Sequence, residues 1–101
     1  MIKHMVMWRL KDQAQGQDRR QNALRIKQKL ESLAGQIPGL SKIEVGLDFS
    51  NTPDASDVAL YCEFDSPEAL AAYQEHPQHK AAASFIKEVR IERRQVDYMV
   101  P

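Results

Sequence analysis

The chain reads as strand, helix, strand, strand, helix, strand, and that order predicts an α+β fold: a ferredoxin-like βαββαβ protomer with an antiparallel sheet. Three observations lead there. Period-two alternation opens the chain, two helical stretches with distinct start and stop signals interrupt it, and two strand-like runs follow one another between those helices.

From Ile2 to Leu10, Ile2, His4, Val6, Trp8 and Leu10 share one face and Lys3, Met5, Met7 and Arg9 the other. Both faces carry large apolar groups, so this strand is expected inside the sheet and covered on both sides. Between Gln17 and Gln36 the apolar positions Ala23, Ile26, Leu30 and Leu33, with Ile37 beyond, recur at threes and fours, the stripe of an amphipathic helix. "IPGL" ends it, because Pro38 disfavours helix at Ile37 and Gly39 permits the turn. "SKIEVGLDF" alternates Ile43, Val45 and Leu47 against a wetter face. "SNTPDASD" is turn chemistry, and "VALYCEF", apolar from Val58 to Cys62, suits a central strand. "DSPEALAAY" opens the second helix, with Ser66 as cap, Pro67 at its first position and Glu68 where the dipole favours a negative charge. His76-Pro77 breaks that helix, and Pro77 can restart it. "RRQVDYMV" supplies the last strand.

The 101 residues suit a single domain over 1–101. Fourteen basic and fourteen acidic side chains cancel without a concentrated basic face, so no nucleic-acid partner is expected. Cys62 is alone and reads as a small core hydrophobe, which suits a reducing cytoplasm. No apolar run reaches the ~18 residues of a membrane span, so neither membrane insertion nor a signal peptide is expected.

With both helices on one face, the other face of the sheet needs a cover. If the helices lie over Met5 and Met7, the open side carries His4, Val6 and Trp8 with the aliphatics of the middle strands. That patch predicts a homodimer closed through the Val6 and Trp8 face, two sheets enclosing a cavity between them or within each half.

The segment "YQEHPQHK" places Tyr73, His76 and His79 around Pro77. Zinc would need a third and fourth donor, and Cys62 with His4 makes no zinc spacing, so no metal is expected. Neither a Gly-rich phosphate cradle nor a Ser or Cys nucleophile presents itself. His76 precedes proline and reads as a residue at a helix break. His79 falls in the first turn of the restarted helix, where the dipole and desolvation disfavour the imidazolium. It is either a general base or a buried, hydrogen-bonded histidine at the junction. Tyr73 either packs its ring in the core or donates to a substrate oxygen. His4, among apolar neighbours, needs a polar partner if buried.

The stretches "IKHMVMWRLK", "GQIPGLSKIEVG", "CEFDSPEALAAYQEHPQHK" and "VDYMV" resemble the stress-responsive A/B barrel domain (Dabb) family over nearly the whole chain, the third being the most specific. The resemblance implies a dimeric α/β barrel. Some plant members resemble aromatic polyketide cyclases in which a first-strand histidine, a second-helix tyrosine and the second histidine of HPxH surround the reacting atoms. His4, Tyr73 and His79 stand at those positions, and Val58 stands where those cyclases carry another histidine. The three candidates are expected to converge on one cavity, with Val6, Trp8, Val58, Leu60 and His76 as ligand-contacting candidates. His79 should be less exposed than His76, and the site fails if His4 points into the helix layer or His79 into bulk solvent.

Two functions follow from this reading. One is a cofactor-independent cyclase, lyase or isomerase acting on a small apolar or aromatic molecule with His79 as base. The other is a non-catalytic, stress-related dimeric binding or structural protein. Other dimeric α/β barrels include haem-binding oxygenases, but no residue here marks a haem ligand and no cofactor is expected.

Overall fold

The computed structural model describes residues 1–101. The elements run β1 (Ile2–Leu10), β2 (Gln13–Ala14), β3 (Gln17–Asp18), α1 (Arg19–Glu31), β4 (Leu40–Leu47), β5 (Val58–Phe64), α2 (Pro67–Glu75), α3 (Pro77–Val89) and β6 (Arg90–Met99). The main sheet is antiparallel in the order β4-β5-β1-β6, so β1 and β5 are central as their apolar content demands.

The first helix is shorter than its apolar stripe. Gln15 and Gly16 both take positive φ, 52° and 76°, which turns β2 onto β3 in a two-residue hairpin. Asp18 then starts α1 by a reciprocal capping box with Gln21. The buried Asn22 amide donates to the carbonyls of Ala14 at 3.0 Å and Gln17 at 3.3 Å, tying the hairpin to the helix. At the other end Leu33 and Ile37 are buried, but beyond the helix, in the turns that lead to β4. Ser66 caps α2 by accepting from the Ala69 N–H at 3.1 Å. His76, extended at φ −65° and ψ 133° ahead of Pro77, separates α2 from α3, and the second helical unit therefore has two segments.

The face assignment is reversed from the sequence expectation. His4, Val6 and Trp8 lie under the helices, with Val6 and Trp8 only 1% and 4% exposed. Met5 and Met7 stand on the open face, 39% and 47% exposed. Register explains the choice. The row of His4, Val6 and Trp8 continues into Cys62, Leu60 and Val58 on β5 and then Ile43, Val45 and Leu47 on β4. The row of Met5 and Met7 continues into Tyr61 and Ala59 and then Glu44 and Gly46. The more apolar row buries more surface beneath α1 and α3 and therefore takes the helices. A dimer through Val6 and Trp8 is ruled out, because both residues already belong to the buried core.

Candidate functional site

Between β1 and α3 lies a cavity of about 200 Å³ lined by His4, Val6 and Trp8 of β1, Leu30 of α1, Leu60 of β5, and His79, Ala83, Ile86, Lys87, Arg90 and Arg93 from α3 and β6. Its inner wall is apolar and its outer rim is basic. The helices bury the sheet as far as β1 but leave β6 exposed over most of its length, so the cavity opens beside that edge strand.

The break at Pro77 builds the histidine side of the cavity. Tyr73 occupies the last turn of α2, and its carbonyl accepts from the His76 N–H at 3.1 Å. Two residues past Pro77, His79 sits in the first turn of α3, its ring against that of Tyr73 with centroids 4.3 Å apart. The Tyr73 ring also meets Phe64 at 5.0 Å and the edge of His4 at 6.2 Å. His4, Tyr73 and His79 therefore form one cluster.

Their environments differ. His4 is 2% exposed, and its Nδ1 is bonded to the carboxylate of Asp97, its cross-strand partner on β6. That carboxylate also accepts from the Gln95 side-chain amide at 2.7 Å. A histidine oriented by a carboxylate has a fixed tautomer and presents its other ring nitrogen in a defined direction. His79 Nδ1 is buried without a hydrogen-bond partner. Burial holds the His79 imidazole below its ordinary range, assisted by the charges of His4, Arg93 and His76; the Gln74 carbonyl, outside hydrogen-bond geometry, opposes. The ring is thus kept neutral near neutral pH.

Tyr73 is fully buried behind the cavity wall, and its hydroxyl has no nitrogen or oxygen partner. The Cys62 thiol lies beside it, and burial pushes the Tyr73 phenol upward and the thiol up to about 12. Neither group ionises under ordinary conditions. Tyr73 supports the His79 ring from behind and does not itself line the cavity.

Of the sequence-derived contact candidates, Val6, Trp8 and Leu60 line the cavity. Val58 is buried one pair further along the sheet, opposite Trp8, and does not. His76 is also outside: its Nδ1 accepts from the Gln78 N–H at 3.2 Å and caps α3. His76 and His79 are both half-buried. His4 does point into the helix layer, so the site fails as the sequence reading placed it, on the open face of the sheet. That criterion misplaced the cavity, which lies between sheet and helices, where His79 also is. Sequence reading missed Asp97, Lys87, Arg90 and Arg93. The Trp8–Arg93 and His4–Asp97 pairings would have revealed two of them, but they depend on the β1–β6 register. No three His, Cys, Asp or Glu side chains are grouped so as to hold a metal ion.

The sequence profile of the stress responsive A/B barrel domain matches residues 2–100. The chain belongs to that family, Dabb. A dimeric Bacteroides fragilis protein of unknown function and ferredoxin-like fold is 33% identical to this Dabb chain, with a TM-score of 0.86 over 98% of this chain and 95% of that one. A dimeric ferredoxin-like protein of unknown function from Thermobifida fusca is 25% identical, TM-score 0.84, covering 98% and 90%. The hydroxynitrile lyase of Passiflora edulis shares the fold at 16% identity, TM-score 0.81, covering 99% and 93%. No curated protein matches this Dabb chain in sequence.

Proposed function

We propose that this Dabb protein is a homodimer that binds a small apolar or aromatic molecule between β1 and α3, and that His79 is the general base of a cofactor-independent proton transfer on it. The observation carrying this reading is the meeting of two differently prepared histidines on one cavity: His4 held by Asp97, and His79 kept neutral by burial, its Nδ1 sealed away so that Nε2 is the nitrogen left to meet a ligand. A neutral imidazole accepts a proton from an acidic C–H, becoming imidazolium as the ligand becomes an enolate, and returns that proton when the ligand rearranges or is released. His4 gives its Nδ1–H to Asp97 and turns Nε2 toward the ligand, a nitrogen that accepts a hydrogen bond in the neutral ring and donates to a developing oxyanion only when the ring carries both protons. The cavity is smaller than the ~300 to 1,000 Å³ of drug-sized sites, which suits a small ligand. The Passiflora protein's name says that this fold hosts a lyase.

The dimer is proposed through the face opposite the helices. Met5, Met7, Val96 and Tyr98 are exposed there at 39%, 47%, 51% and 41%. A second copy is the natural cover for an apolar face of this kind. That the Bacteroides and Thermobifida proteins are dimeric supports a dimer here, and the exposed row chooses the face.

One observation favours the non-catalytic alternative. The Tyr73 hydroxyl is sealed behind the cavity wall and cannot reach a ligand in this arrangement. Hydrogen–deuterium exchange of the benzylic protons of phenylacetone in D₂O, followed by proton NMR, separates the two. Wild-type protein should accelerate exchange, and His79→Ala should lower the accelerated rate by ~10²- to 10⁴-fold. Equal rates for both, with the ketone still bound, would leave a binding protein without base catalysis.

A further inference from the structure

Three cations ring the mouth of the cavity, and none has an acidic partner. Lys87, in the last turn of α3, Arg90 at the helix end and Arg93 on β6 all line it, and the ion pairs of the chain include none of them. The dipole at the end of α3 accounts for Lys87 and for Arg90 at its C-cap, but not for Arg93. Arg93 lies opposite Trp8 in the β1–β6 register, on the face that carries the cavity. The carboxylate on that face of β6, Asp97, is already engaged by His4 and Gln95. Beneath these cations the wall consists of Val6, Trp8, Leu60 and Ile86. The arrangement is positive at the opening and apolar inside.

We propose that the cavity takes the anion of a small apolar organic acid, its carboxylate held at the mouth by Lys87, Arg90 and Arg93 and its body lying against Trp8 and Ile86. This deepens, and rests on, the reading of the cavity as a ligand site. The guanidinium of Arg93 offers paired N–H donors that match a carboxylate. These cations stand at a largely exposed rim, so the charge-assisted bonds should weaken as salt is added. A singly charged carboxylate suits the site better than a phosphate, because the opening lies at the carbonyl end of α3 and offers no helix N-terminus to a polyanion. In this pose the carboxylate is at the rim and the carbon skeleton extends toward His79 and His4.

The test uses benzoate and benzamide, alike in shape and different in charge, with the fluorescence of Trp8 as readout, the sole tryptophan of the chain. At low ionic strength benzoate should bind saturably and ~10- to 100-fold more tightly than benzamide, the discrimination of a charge-assisted hydrogen bond. Arg93→Gln, at an exposed position that leaves the core intact, should bring benzoate down to the level of benzamide, and Arg93→Lys should keep part of the preference. Equal binding of the two probes to the wild type would overturn the acid preference and leave the ligand site standing. Failure of both to perturb Trp8 at millimolar concentration would remove the site as well.

Discussion

His79 illustrates how position alone can tune a residue. Pro77 fixes the start of α3, so the imidazole falls in its first turn, and burial against Tyr73 disfavours the charged form. Because the folded-state pKa lies below the ordinary 6.5, the unfolded chain binds the proton more readily between those two values. The stability this group confers is complete above the unfolded value and is lost as the pH falls from there through the folded one. NMR titration should therefore give a His79 midpoint below 6.5, and urea midpoints should fall less steeply with acidification in His79→Gln than in wild type. An unshifted His79 titration would contradict the environment described. His76, by contrast, works through its Nδ1 as a cap, so His76→Ala should cost about 1 kcal/mol in urea unfolding while ligand affinity stays near wild type. Lost affinity with unchanged stability would assign it to the cavity instead. "YQEHPQHK" thus contains punctuation at His76, as its place before Pro77 predicted, and a proposed base at His79, for which the chain order left a buried junction histidine as an equal reading. Asp97 was not legible in the same way, because its bond to His4 spans 93 positions and depends on which residues β1 and β6 bring opposite each other.

At the level of elements, alternation in β1 correctly grouped His4 with Val6 and Trp8 but could not say which face the helices would take. Both faces of that strand are apolar, and the deciding information lay in β4 and β5, whose Lys42, Glu44, Tyr61 and Glu63 fall on the Met5 side. The β2–β3 hairpin escaped notice because Gln15 is an unusual residue for positive φ and the following polar stretch blends into α1. Gly39 was read correctly as a turn residue, although "IPGL" does not end the helix: α1 stops at Glu31, with Ser32 as its cap. The φ of Gly39 is +82°, and a Cβ there would stand 2.5 Å from the Cβ of Ala69 in the first turns of α2. Gly39→Ala should destabilise the fold by ~1 to 3 kcal/mol in urea melts, with Ala69→Gly in the same chain recovering only the steric part. A neutral Gly39→Ala would show that this turn does not set the approach of α2. The edge strand β4 is protected by α1. Lys27 donates to the Val45 carbonyl at 2.7 Å and to Glu31 at 2.8 Å, and the Glu31 carboxylate accepts from the Val45 N–H at 3.1 Å.

For the whole molecule, the reversed face moves the proposed dimer contact from Val6 and Trp8 to Met5 and Met7 and separates assembly from the cavity. Met7→Glu would place an unpaired charge in that contact, which should weaken dimerisation by several kcal/mol and give monomers in sedimentation at micromolar concentration, with helix content retained. A stable dimer in that variant would show that the sheets do not meet through this face. The separation also defines the central test, because the molecule carries a rival hollow: a depression of about 400 Å³ on the open face, lined by Met5, Met7, Ala59, Tyr61 and Val96 among others. A crystal structure of the full chain soaked with phenylacetone decides between the two. Density is expected between β1 and α3, with the ligand's carbonyl carbon flanked by His4 and His79. Density lodged instead against Met5 and Tyr61 on the far side of the sheet would contradict the proposed site.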